Sequence, residues 1–323
     1  MFFVVLVLPP AAVHASIDAT RDAAGSVYVT ATGDAAEQVT LFQDGTATIR
    51  ITDAAGPVGS SDGSCTVDAT SGAATCPAAS GAYVFVALGA GDDTLDARDA
   101  RQVALTVDGG SGADTLQVGA GRMTRINDTT ATDVIDLSHA DDDVVVRWQA
   151  SRTRVVATCT GCETSWTVVL PARPGTVRTG DASDDVDLRT WRAGGTTAWQ
   201  LGAGADRWFG SPVHRAIVDG GADADSLVSY APVDTLLGGA GTDKIADFGG
   251  RGDVLRGGAD GDVMASLDGQ RDVFDGGASR DMCLTIGGRT TRQCDTGSVT
   301  GFEMSRLMPR TTPGWVLPML GIR

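Results

Sequence analysis

Seven aspartates in the C-terminal third keep a near-constant beat: Asp225, Asp234, Asp243, Asp253, Asp262, Asp272 and Asp281, in steps of 9, 9, 10, 9, 10 and 9 residues. Two positions after each comes Leu227, Leu236, Ile245, Leu255, Met264, Phe274 or Cys283. Glycine pairs precede four of them, at Gly220-Gly221, Gly238-Gly239, Gly257-Gly258 and Gly276-Gly277. A fixed period of this kind specifies stacked repeats rather than an ordinary globular core. One carboxylate per turn, at constant register, points to chemistry with cations.

The chain has 323 residues, enough for two or three units or for one long solenoid. Its 43 glycines lack a three-residue period, which excludes collagen. Lys and Arg total 25 against 41 Asp and Glu, a net charge of -16. Such a polyanion is a poor nucleic-acid binder, because neutralising phosphates needs Lys and Arg. Hard cations are its natural partners, with simple solubility as the plainer alternative. Residues 1–15 read as a secretory signal peptide: an apolar run, Pro9-Pro10, and small residues before Ser16. The alternative is a buried N-terminal strand. No segment is long and apolar enough for a transmembrane helix. The expected location is extracellular, secreted or held at the cell surface.

Six cysteines fall as local pairs, Cys65/Cys76, Cys159/Cys162 and Cys283/Cys294. An even count in an exported chain suggests disulfides. Cys159-Thr-Gly-Cys162 has a redox or zinc reading as well, but zinc needs two further ligands. His14, His139 and His214 are scattered. Helical periodicity is weak throughout, and short alternating runs between turn residues predict an all-β chain. Val39 to Thr52 reads as a hairpin turning at Asp44-Gly45, and Val144 to Cys159 has similar character. Two stretches align without a gap, Gly89 to Asp93 over Asp181 to Asp185 and Gly110 to Asp114 over Gly202 to Asp206. This suggests an internal duplication. Gly121 to Ala140 is the least readable stretch. The expected units are 16–140, a duplicated region 141–215, a repeat region 216–300 and a tail 301–323.

The best single copies are Gly109-Gly-Ser-Gly-Ala-Asp-Thr-Leu-Gln117 and Gly238-Gly-Ala-Gly-Thr-Asp-Lys-Ile-Ala246. Both fit G-G-x-G-x-D-x-U-x, with U a large apolar residue, and so resemble the nonapeptide of RTX, or hemolysin-type, calcium-binding repeats. The likeness is close over 220–285 and recurs at 88–96, 109–117 and 201–209. Cys65, Cys76, Pro77 and Ala78, ahead of the first Gly/Asp turn, also resemble the layout of secreted bacterial proteins of this type. The resemblance implies a right-handed parallel β-roll, or β-solenoid, in which two nonapeptides make one coil and Ca²⁺ lies between successive turns. Preceding it are more irregular coils that contain β-hairpins. The implied metal-site residues are Asp93, Asp114, Asp206, Asp225, Asp243, Asp262 and Asp281, with Gly110, Gly112, Gly239, Gly241 and Gly258. Physical chemistry agrees: glycines admit conformations that bring carbonyls together, and Ca²⁺ takes six to eight oxygens at about 2.3–2.6 Å.

Parity assigns the edges. Asp225, Asp243, Asp262 and Asp281 stack along a first edge, and Asp234, Asp253 and Asp272 along a second. The second edge has poorer turns, with Pro232, Arg251 and Arg271 among them, so calcium is expected on the first. Leu227, Ile245, Met264 and Cys283 should line one sheet, and Leu236, Leu255 and Phe274 the other. A Cys283–Cys294 disulfide should close the C-terminal end, and the tail with Trp315, Pro318 and Met319 either folds over that cap or hangs free. Asp185, followed by Asp187, breaks the pattern. Trp148, Trp166, Trp191, Trp199 and Trp208 serve either the core or a carbohydrate-binding face. No H-E-x-x-H or G-x-S-x-G occurs, and no enzyme activity is expected. The reading is a secreted calcium-binding solenoid with a structural or surface role, partnered by Ca²⁺ and by cell-surface glycans or proteins. Its alternatives are an adhesion or glycan-binding module and a hydrolase of unrecognised type.

Overall fold

The computed structural model describes residues 16–294, apart from 46, 119–122, 128–131, 139–142, 150–153, 161–166, 172–173, 286–290 and 293. The expected signal segment 1–15, the tail 301–323, Cys162 and Trp166 lie outside the described residues, as do the side chains of Trp148 and Cys159. Among the described residues every regular element is a strand, and the strands form two 14-stranded sheets. Among the described residues no helix is long and apolar enough to cross a membrane.

The chain winds between the two sheets as a β-solenoid. In the C-terminal part it alternates strictly: Ser226–Ser229 in the first sheet, Thr235–Ala240 in the second, then Lys244–Asp247, Val254–Ala259, Val263–Ser266 and Val273–Gly277. Each strand pairs in parallel with its counterpart one coil later, as in Leu227 with Ile245 and Leu236 with Leu255. A strand places alternate side chains on opposite faces, so the residue two after each aspartate points inward. Val186, Trp208, Leu227, Ile245, Met264 and Cys283 stack in register on the first sheet. Leu95, Leu116, Ile135, Val177, Trp199, Val218, Leu236, Leu255 and Phe274 do so on the second. All are at most 1% exposed. The expected inward residues are therefore core, and the solenoid extends well upstream of residue 216. Burying each such side chain stabilises the fold by roughly 1.5–3 kcal/mol.

The beat has a mechanical origin. Its two ten-residue steps, from Asp243 to Asp253 and from Asp262 to Asp272, both cross the second edge. There the turns from Asp247 to Asp253 and from Ser266 to Asp272 are one residue longer than that from Ser229 to Asp234, although the strands before them stay in register. The extra residue is absorbed in the loop, and the inward column is undisturbed.

Hairpins interrupt the winding where expected. Gln38–Asp44 pairs antiparallel with Thr48–Asp53, and Asp143–Gln149 with Arg154–Thr160. Cys65 and Cys76 are disulfide-bonded, as are Cys283 and Cys294. The second bond links the terminal strand of the first sheet, Met282–Thr285, to the chain just past Thr291–Arg292, the terminal strand of the second. It closes the end of the solenoid, where bare strand edges would otherwise be exposed. Trp191, Trp199 and Trp208 are core, so they supply no carbohydrate face.

Candidate metal centre

Each aspartate of the beat sits at a corner, just before its strand begins. For all but Asp272 and Asp281, the carboxylate of the next coil accepts a hydrogen bond from the aspartate's backbone N–H. Asp206 N–H donates to Asp225 Oδ1 at 2.9 Å, Asp225 to Asp243 at 2.9 Å, Asp243 to Asp262 at 2.9 Å and Asp262 to Asp281 at 3.0 Å. Asp184 begins this first-edge column, donating to Asp206 Oδ1 at 2.7 Å. A second column runs along the other edge. Glu37 N–H donates to Asp93 Oδ1 at 2.9 Å, Asp93 to Asp114 at 2.9 Å and Asp114 to Asp133 at 3.2 Å. The same column resumes where Asp234 donates to Asp253 at 2.6 Å and Asp253 to Asp272 at 3.0 Å. In between, Gly175, Thr197 and Ala216 stand at the corner positions.

The structure thus brings Asp206, Asp225, Asp243, Asp262 and Asp281 into one column but places Asp93 and Asp114 on the opposite edge. Asp114 leads into Thr115–Gln117 of the second sheet, whereas Asp206 leads into Arg207–Phe209 of the first. The two turns that align in sequence are geometrically alike but face opposite ways. Asp133 and Asp184 were not among the sequence candidates. Asp184, not Asp185, occupies the corner, and Val186 rather than Asp187 points inward, so the pattern there is intact. The signal was the bare D-x-U spacing of Asp133-Val134-Ile135 and Asp184-Asp185-Val186.

The other carboxylate oxygen sets the chemistry. Asp206, Asp225, Asp243, Asp262 and Asp281 are at most 1% exposed, and the Oδ2 of each is buried with no hydrogen-bond partner among the described residues. On the first edge this atom lies over the first glycine of its own turn. A methyl group on Gly220 would sit 2.3 Å from Asp225 Oδ2 and 2.6 Å from the Gly238 carbonyl oxygen. On Gly238 it would meet Asp243 Oδ2 at 2.1 Å and Gly257 O at 2.7 Å, and on Gly257, Asp262 Oδ2 at 2.1 Å and Gly276 O at 2.6 Å. Three successive coils therefore present the same pair of oxygens, one charged and one neutral, around a glycine that no other residue can replace without a clash. This donor set suits a hard cation. The candidate glycines Gly110, Gly112, Gly239, Gly241 and Gly258 serve another end. Each has positive φ and lies against a backbone carbonyl of the preceding coil, which lets the turns stack closely.

Burial dominates the protonation of Asp206, Asp225, Asp243 and Asp262. It pushes Asp206 up to about 9 and Asp225 and Asp262 up to about 7, and it raises Asp243; neighbouring carboxylates add to the effect and the amide hydrogen bonds oppose it. Groups raised in the folded state take up protons on folding. Their contribution to stability is complete below the ordinary carboxylate range, near pH 4, and is lost as pH rises through about 7 to 9. Metal-free protein should therefore melt at a higher temperature near pH 5 than near pH 8.5. A thermal scan in chelator that shows equal or rising stability across that interval would contradict the burial argument.

Compared with known proteins, the chain matches no protein-family model, and no curated protein shows significant sequence similarity to it.

Proposed function

We propose that this chain is a calcium-binding β-solenoid of the extracellular space, whose Gly/Asp turns on the first edge hold Ca²⁺ and so stabilise the stack in a structural or surface-associated role. The observation that carries this reading is the recurring oxygen pair of Asp225, Asp243 and Asp262 with the carbonyls of Gly238, Gly257 and Gly276. Bound calcium would supply positive charge to a column of buried carboxylates that otherwise repel one another. Metal binding of this kind contributes folding free energy directly. The Cys65–Cys76 and Cys283–Cys294 disulfides suit an oxidising compartment.

The edges differ in a way that mutation can test. Asp234 has both carboxylate oxygens engaged, Oδ1 by the Ala216 N–H at 2.7 Å and Oδ2 by the Ser229 hydroxyl at 2.6 Å. Asp243 has only Oδ1 engaged, by the Asp225 N–H at 2.9 Å. Asp243→Ala should weaken calcium binding about tenfold or more, and Asp234→Ala should leave affinity nearly unchanged while lowering stability. Isothermal titration with calcium measures both; equal losses of affinity would refute the assignment of the site to the first edge.

One observation favours adhesion as a second reading. Tyr28, Phe85 and Tyr83 form a stacked aromatic row on the outer face of the first sheet, with ring centroids 5.0 and 6.4 Å apart. Tyr83 is 56% exposed. Flat exposed rings suit sugar faces. Retention on insoluble cellulose, chitin or peptidoglycan, abolished by Tyr83→Ser with Phe85→Ser, would support this reading, and no retention on any of them would remove it.

A further inference from the structure

One coil of the second edge departs from its neighbours. Ser229, Asp247 and Ser266 stack in register at the ends of three successive strands. In the earlier coil the Ser229 hydroxyl donates to Asp234 Oδ2 at 2.6 Å, and in the later coil Ser266 donates to Asp272 Oδ2 at 2.8 Å. In the middle coil the serine is replaced by Asp247. An ionised carboxylate has no proton to donate, and Asp253 Oδ2, the atom that a serine would serve, is buried without a partner. So is Asp247 Oδ2. Both side chains are 0% exposed, and their remaining oxygens are already committed, Asp253 Oδ1 to the Asp234 N–H at 2.6 Å and Asp247 Oδ1 to the Gly249 N–H at 2.9 Å. A donor–acceptor pair has become two acceptors facing one another.

The rest of the surroundings is acidic as well. One carboxylate oxygen from each of Asp247, Asp253 and Asp272 lies within 4.8 Å of the other two. Asp268 follows in the next turn, with its own Oδ2 buried and unpartnered. Asp253, Asp268 and Asp272 all act on Asp247 as like charges, and Asp234 acts on Asp253 in the same way. Isolated buried charge is costly, and such groups are paired or coordinate metal.

We propose that Asp247 and Asp253, with Asp272 beside them, form a second kind of divalent-cation site, built by the aspartate that stands where the neighbouring coils carry serine. Asp247 and Asp253 supply the free oxygens, and Asp272, whose two oxygens already accept hydrogen bonds, adds its charge. The site takes calcium. Its donors are all oxygens, which favours hard cations over zinc or copper, and the spread of its oxygens suits a metal–oxygen distance of about 2.3–2.6 Å. It shares no ligand with the Gly/Asp turns of the first edge and does not rest on their binding calcium.

Asp247→Ser tests the site, because it installs the residue that the coils on either side already use and gives Asp253 a donor. In the full chain, isothermal titration with calcium should show one fewer site per chain for Asp247→Ser, and the same loss for Asp253→Asn. Metal-free Asp247→Ser should melt higher than the metal-free parent, with a smaller rise on adding calcium. Asp243→Asn, on the other edge, should leave this site intact. An unchanged calcium stoichiometry in Asp247→Ser would overturn the proposal and assign a shared proton to the Asp247–Asp253 pair. Binding of magnesium with no binding of calcium would overturn the choice of ion. If the first-edge reading alone is wrong, Asp247→Ser removes binding and Asp243→Asn does not; if this proposal alone is wrong, the reverse holds.

Discussion

Adding calcium to chelated protein is expected to raise its melting temperature by about 10 °C. Extracellular calcium modules bind at about 10⁻⁴–10⁻³ M. At a concentration tenfold above a millimolar dissociation constant, each site contributes about 1.4 kcal/mol, so three sites on the first edge contribute about 4 kcal/mol. For a chain of this size each kcal/mol moves the midpoint by roughly 2–4 °C. The proposed sites lie at the corners of successive coils, so the gain should appear as a sharper unfolding transition and a stronger β-sheet signal in circular dichroism. Titration to several millimolar with no change in either signal would end the calcium reading. The rise should be larger near pH 8.5 than near pH 5, because protons and calcium compete for the same buried Oδ2 atoms of Asp225, Asp243 and Asp262.

Gly239→Ala is expected to be strongly destabilising, costing about 3 kcal/mol or more. Gly239 has φ near 114°, a region that L side chains rarely adopt, and a Cβ there would lie 2.2 Å from the Gly221 carbonyl oxygen of the preceding coil. That oxygen is backbone, so relief requires the coils to separate. Separation would disturb the hydrogen bonds that join Asp225 to Asp243 and Asp243 to Asp262. Gly45 makes a sharp control. It also has positive φ, at 65°, but a Cβ on it meets nothing within 4 Å, so Gly45→Ala should cost only about 1–2 kcal/mol. Chemical denaturation of the two variants measures both. Equal destabilisation would mean that conformation alone, and not close stacking, explains the glycine column.

The C-terminal coils were legible because there the chain alternates between sheets with almost no insertion. Period, edge parity and inward residues could all be counted from Asp225 onward, and Leu227 through Cys283 lie where that count puts them. Upstream, the hairpin of Asp143–Gln149 and Arg154–Thr160 adds residues between coils and destroys the count, although Ile135 and Val177 remain in register on the second sheet. Asp133 and Asp184 were lost in that gap. Asp184 was further hidden by Asp185 beside it, since a shift of one residue exchanges the faces of a strand. The turns of the second edge were judged by their glycines, and Asp247 was passed over because its meaning depends on Ser229 and Ser266 in neighbouring coils. Only the three-dimensional register puts these three residues side by side.

The Cys283–Cys294 bond also decides how a pull on the C-terminus would enter the molecule. Tension applied beyond Cys294 passes through the sulfurs to Cys283, and the chain between them becomes a slack loop that carries no load. Thr291–Arg292 is thereby shielded, and force arrives at Cys283, a buried residue of the terminal strand of the first sheet. With the bond reduced, the same pull would begin at the last strand and unzip the stack one coil at a time. The redox state of the bond thus sets the sheet at which such a pull enters the stack.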